Sequence, residues 1–90
     1  MTTEFEAISR DQTLQWAVDR DCYTVRVQIE PEAMDLGAAE LTRRLQALAK
    51  LAWMRAAAAR RGRNIAAGDP VWEGDPTPAM TEAYEATLDF

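Results

Sequence analysis

The stretch from Thr13 to Pro31 alternates apolar and polar side chains. Leu14, Trp16 and Val18 fall on one face of an extended segment, and Tyr23, Val25, Val27 and Ile29 on one face of the next. A period of two in β-branched and aromatic residues is the pattern of a half-buried strand. Asp19-Arg20-Asp21-Cys22 between the two runs is short enough for a hairpin turn. The opposite faces carry Gln15 and Asp19, then Thr24, Arg26, Gln28 and Glu30, so only one face of this sheet is built to be covered. A shorter run from Phe5 to Ser9 adds a third strand. Pro31 ends the last strand, since it has no N–H to give to a ladder.

The period then changes. From Leu36 to about Arg61 the chain is rich in Ala, Leu, Arg and Gln, which favour helix. Leu41, Leu45, Leu48, Ala52 and Ala56 share one stripe at 100° per residue, and that stripe is expected on the apolar sheet face. Asp35 is a plausible N-cap and Gly62 a natural stop. Gly68-Asp69-Pro70 and Gly74-Asp75-Pro76-Thr77-Pro78 read as turns, with Thr77 and Pro78 as N-cap and first residue of a last short helix. Met80, Ala83, Tyr84 and Leu88 would form its apolar side. The expected fold class is therefore α+β: a three-stranded antiparallel sheet followed by one long helix (β-β-β-α) over residues 1–63, with an acidic, loop-rich extension over 64–90.

Leu51, Trp53 and Met54 fall off the core stripe. Three large apolar side chains there call for a second chain or for the folded-back C-terminal segment, which carries Val71, Trp72, Met80 and Tyr84. A homodimer using Leu51, Trp53 and Met54 as contact surface is the expectation, since a small core with 48% hydrophobic residues often leans on a partner.

Charge divides the chain into three blocks. Residues 1–35 carry eight acids and three bases, residues 36–63 one acid and seven bases, and residues 64–90 six acids and no base. Within the basic block, Arg43, Lys50, Arg55, Arg60, Arg61 and Arg63 are the candidate nucleic-acid contacts. Two plainer readings compete: a solvated helix face whose cations suit the helix C-terminus, or pairing with the acidic flanks of the same chain. A net charge of −5 favours the plainer readings, because strong nucleic-acid binders usually have a basic balance.

Catalytic chemistry has little to stand on. There is no histidine and one cysteine, Cys22, which sits among acids in a turn. No Gly-rich phosphate loop or nucleophile motif occurs. The expectation is a non-enzymatic protein with no cofactor and no metal. No apolar run approaches the length of a membrane span, and the N-terminus lacks the pattern of a secretory signal. A cytoplasmic location is expected.

One longer pattern is specific enough to compare. Strands closing on Ile29-Glu30-Pro31, a short turn, and the helix of VRVQIEPEAMDLGAAELTRRLQALAKLAW resemble the YbaB/EbfC family of small bacterial nucleoid-associated proteins. The same pattern is similar to that of mycobacterial EspD- and EspH-like proteins tied to type VII (ESX) secretion. The resemblance spans residues 4–61 and implies an antiparallel sheet, packed helices and a homodimer. It also implies two roles: an accessory or adaptor protein of an actinobacterial cell linked to type VII secretion, or a DNA-binding nucleoid protein. Family members open with a long helix that this chain lacks, and it carries an acidic extension instead. Trp72-Glu73-Gly74 spells the W-x-G tripeptide of small type VII substrates. The Tyr-x-x-x-acid that often follows is not completed, since Leu88 stands four residues after Tyr84.

Overall fold

The computed structural model describes residues 3–90. Three strands, β1 (Glu4–Ile8), β2 (Leu14–Asp19) and β3 (Thr24–Ile29), form an antiparallel sheet in the order β1-β2-β3. A 3₁₀ turn at Pro31–Leu36 leads into α1 (Ala38–Ala67), and α2 (Pro78–Ala86) follows a loop. The α+β class, the three strands and the long helix match the expectation from the alternation.

Register explains which side chains meet the helix. Leu14 lies opposite Ile29 and Trp16 opposite Val27; on the other side Ala7 lies opposite Trp16 and Phe5 opposite Val18. Residues directly opposite one another share a face, so these side chains form the inner face. Leu48, Ala52 and Ala56 of the α1 stripe are buried against it, with Leu41 and Leu45 packed alongside. Leu14 and Leu48 are the largest side chains wholly removed from water. The outer face is polar: Arg26 reaches across Ala17 to Glu4 at 2.9 Å and Glu6 at 2.6 Å. A bulge leaves Val25 unpaired, since Ala17 pairs Arg26 and Val18 pairs Thr24.

Two helix boundaries differ from expectation. Asp35 lies inside the 3₁₀ turn, and Gly37, at φ 82°, is the N-cap of α1. Gly62 does not stop the helix. It has helical neighbours and open space where a Cβ would stand, and α1 runs on to Ala67. The stop is Gly68, at φ 74°, whose N–H donates to the Asn64 and Ile65 carbonyls. A left-handed residue at this position costs glycine little. The helix therefore crosses the expected boundary at residue 63. Thr77 caps α2 as expected, accepting from the Met80 N–H at 3.2 Å.

The C-terminal segment folds back onto α1. Tyr84, Leu88 and Phe90 pack against the core, with Thr81 buried. An open depression lined by Phe5, Arg55, Ala59, Pro78 and Thr81 marks where α2 lies beside both α1 and β1. Among the described residues, no helix is long and apolar enough to cross a membrane.

Candidate interaction face

A single helix is about 10 Å across, whereas three strands about 4.8 Å apart present a wider surface once side chains are counted. One helix therefore covers two strands well and a third poorly. Here α1 lies over β1 and β2. The strand left out is β3. Val27 and Ile29 belong to the inner face by register, yet they are 41% and 40% exposed. Met34, in the turn that follows, is 63% exposed.

One large apolar side chain of α1, Trp53, points to that side. Leu51 and Trp53 are two residues apart, hence about 200° apart around the helix. Leu51 faces α2, sharing a depression with Glu85, Leu88 and Phe90. Since α2 sits on the β1 side, Trp53 looks towards β3, and it is 38% exposed. The open side of the layered fold is thus lined by Val27 and Ile29 below and Trp53 above.

This corrects the expected contact surface. Leu51 is 2% exposed and Met54 is 7% exposed within the single chain. The C-terminal segment supplies the cover that a second chain was expected to give, so only Trp53 of the three remains at the surface. The sequence reading missed Val27 and Ile29 because it gave the whole apolar sheet face to the helix. The width of one helix against three strands was the signal that could have exposed them.

The two sheet edges are treated differently. The Ser9 N–H donates to the Leu14 carbonyl. Hydrogen-bonded pairs alternate along an antiparallel ladder, so Glu4, Glu6 and Ile8 turn their backbone groups to the free edge of β1. The Glu6 carbonyl is occupied there by the Arg55 Nη1, and the same guanidinium pairs with Glu85 of α2. At the other edge, the Glu30 N–H donates to the Thr13 carbonyl at 2.8 Å. By the same alternation Val27 and Ile29 direct their N–H and C=O groups away from β2. No side chain among the described residues bonds to them.

The candidate nucleic-acid contacts are mostly engaged within the chain. Arg43 pairs with Glu40 and with Asp89 at 2.6 and 3.0 Å, and Arg55 with Glu85. Arg60 holds Asp75 through two hydrogen bonds of 2.9 and 2.7 Å, and its guanidinium lies 4.1 Å from the Trp72 ring centroid. Lys50 stands 4.5 Å over the Tyr84 ring. Arg63 donates to the Arg20 carbonyl at 3.4 Å. Arg61 makes no ion pair among the described residues. Three of the acids, Asp75, Glu85 and Asp89, come from the acidic C-terminal block. The Trp72-Glu73-Gly74 tripeptide has a local role: Trp72 stacks on Arg60, and Gly74, at φ 91°, turns the chain so that Asp75 meets the same guanidinium.

Electrostatics follow the contacts. Hydrogen bonds from Arg43 and Arg44 hold Glu40 down at about 2. The Asp75 carboxyl is lowered chiefly by the hydrogen bonds from Arg60. Burial raises the Cys22 thiol above its ordinary value, which disfavours the reactive thiolate. Among the described residues, no group of three His, Cys, Asp or Glu is placed to hold a metal ion. No protein family matches the chain, and neither a curated protein nor a solved structure matches it.

Proposed function

We propose that this chain is a non-enzymatic protein-interaction module that works as a homodimer. The observation that carries the reading is the open side at β3, where Val27, Ile29 and Trp53 stay in water although a sheet edge beside them offers unpaired backbone groups. Apolar surface exposed in this way is unfavourable by about 25 cal/mol per Å², and its removal from water drives association. An accessory or adaptor role linked to type VII secretion is the extension that the strand–Glu-Pro–helix resemblance supports. The alternative, a YbaB-like DNA-binding protein, draws less support, because Arg43, Arg55 and Arg60 are paired with acids of the same chain.

Gel filtration with light scattering tests the reading. At roughly 100 µM, well above the dissociation constant of an ordinary stable dimer, the expected mass is twice that of one chain. A single-chain mass at that concentration would overturn self-association.

A further inference from the structure

We propose that β3 is the dimer strand: it pairs antiparallel with β3 of a second copy, Val27 opposite Ile29 and Gln28 opposite itself on the two-fold axis. This rests on the self-association proposed above and assigns it a place and a register.

Four observations converge on this arrangement. The first is the difference between the sheet edges. On β1 the outward Glu6 carbonyl is sealed by Arg55, which α2 holds in turn through Glu85. On β3 the outward groups of Val27 and Ile29 have no such plug. Exposed edges are normally defended by a proline, a bulge or a charged side chain, lysine above all; the one charge here, Arg26, is drawn away from the edge across β2 to Glu4 and Glu6. β3 has its bulge at Val25 only, and from Val27 to Ile29 it has none of these.

The second is the ladder. Arg26, Gln28 and Glu30 spend their backbone groups on β2, so only odd-numbered residues can bond outward. Val27 opposite Ile29 of the copy pairs odd with odd, on both sides of the axis. Shifting the axis to Ile29 would set Val27 against Pro31, which has no N–H. Shifting it to Val27 would draw in the bulged Val25.

The third is charge. On the outer face β3 reads Arg26, Gln28, Glu30: positive, neutral, negative. An antiparallel copy about Gln28 reads negative, neutral, positive, so Arg26 of each chain stands across from Glu30 of the other. Arg26 uses its two terminal nitrogens on Glu4 and Glu6, and Glu30 accepts from the Gln28 Nε2 of its own strand with one oxygen, so the Arg26 Nε–H and the second Glu30 oxygen remain to meet across the axis. A strand that is its own complement in one register points to a second copy rather than to an unrelated strand.

The fourth is the inner face. The pairing brings Val27 and Ile29 of both chains side by side across the axis, with Trp53 of each α1 flanking them. One isologous patch then covers the open side of both sheets and makes a continuous six-stranded sheet.

The test uses the full chain with Cys22→Ser as background. Gln28→Cys places a thiol opposite its own copy in a non-hydrogen-bonded pair, where the Cα atoms are about 4.5 Å apart and a disulfide fits. Mild oxidation with a copper–phenanthroline catalyst should convert most of the protein to a covalent dimer on a non-reducing gel. Glu82→Cys on the exposed side of α2 should stay a monomer on that gel. Val27→Asp should give a folded single-chain species by light scattering and circular dichroism. Should that variant fail to fold, the crosslink at position 28 still decides, because Gln28 is exposed and outside the core. If Gln28→Cys is a dimer in light scattering and yet does not crosslink, the strand assignment is overturned and self-association stands. A monomer in light scattering overturns both.

Discussion

Asp75 shows how much one residue can carry in a chain of this size. Its side chain is 3% exposed, and Arg60, which grips it with two hydrogen bonds, is 18% exposed and stacks on Trp72. That cluster ties the loop before α2 to the end of α1. Replacing Asp75 by Asn keeps the shape and removes the charge, leaving the Arg60 guanidinium without its counter-ion. The expected cost is about 1–3 kcal/mol, as for a buried partner left poorly satisfied, read as a lower denaturant midpoint at pH 7. The pH dependence has a definite sign. Asp75 is lowered by Arg60, and Asp11 is held at about 2 by hydrogen bonds from the Ser9 hydroxyl and the Thr13 N–H and hydroxyl. A carboxylate whose folded value lies below its unfolded value stabilises the fold above the unfolded value, about 3.9 for Asp. That contribution is lost as pH falls through the folded value. Melting temperature should therefore drop between about pH 4 and pH 2, and the drop should be shallower in Asp75→Asn. An equal slope in the two proteins would show that Asp75 contributes nothing to acid unfolding.

At the scale of elements, the two glycines near the end of α1 should respond in opposite directions. Gly62 lies inside the helix with nothing within 4 Å of a Cβ built upon it, so Gly62→Ala should stabilise by about 0.5–1 kcal/mol. Gly68 holds a positive φ at the C-cap, so Gly68→Ala should destabilise by about 1–2 kcal/mol. Thermal melts of the two variants against the parent check both signs. The pair also shows what the sequence could disclose. A glycine after a long apolar period is a stop signal only when something downstream forbids more helix. Asn64-Ile65-Ala66-Ala67 does not forbid it, and Asp69-Pro70 does. Strand faces, by contrast, were legible, because alternation in Leu14-Gln15-Trp16 and Val27-Gln28-Ile29 is set by the backbone itself. The stripe of Leu41, Leu45, Leu48, Ala52 and Ala56 was legible for the same reason. Which strand α1 would leave uncovered was not. That depends on where α2 docks, and α2 is placed by contacts such as Leu51 with Leu88 that join distant parts of the chain. The pairing partner of each arginine was hidden likewise: Arg43 meets Asp89, 46 residues away.

For the whole molecule, the basic block of α1 and the acidic C-terminal block pair with each other, and that has a consequence for nucleic acid. The C-terminal segment lies along α1 with Asp75, Glu85 and Asp89 on Arg60, Arg55 and Arg43. Two of these pairs are solvent-exposed, and such pairs contribute only about 0–1 kcal/mol each. The segment is held mainly by Leu88, Phe90 and Tyr84 against the core. Raising the salt should thus leave it docked, and the cations should stay masked. Duplex DNA should bind weakly at roughly 150 mM salt, where counterion release leaves little driving force for a chain with few open cations. Neutralising the mask without removing it separates masking from a lack of affinity. In Asp75→Asn/Glu85→Gln/Asp89→Asn the apolar contacts remain, yet Arg55 and Arg60 lose their carboxylates and Arg43 keeps only Glu40. Fluorescence anisotropy with a short labelled duplex at low salt should then show tighter binding than the parent. Because phosphates would replace the lost acids, that gain should fade as salt is raised, with a steeper dependence of affinity on salt than the parent shows. Circular dichroism must show the triple variant folded for the comparison to hold. Equal, weak binding by the two folded proteins would mean that the acidic segment masks nothing and that these cations serve only to seat it.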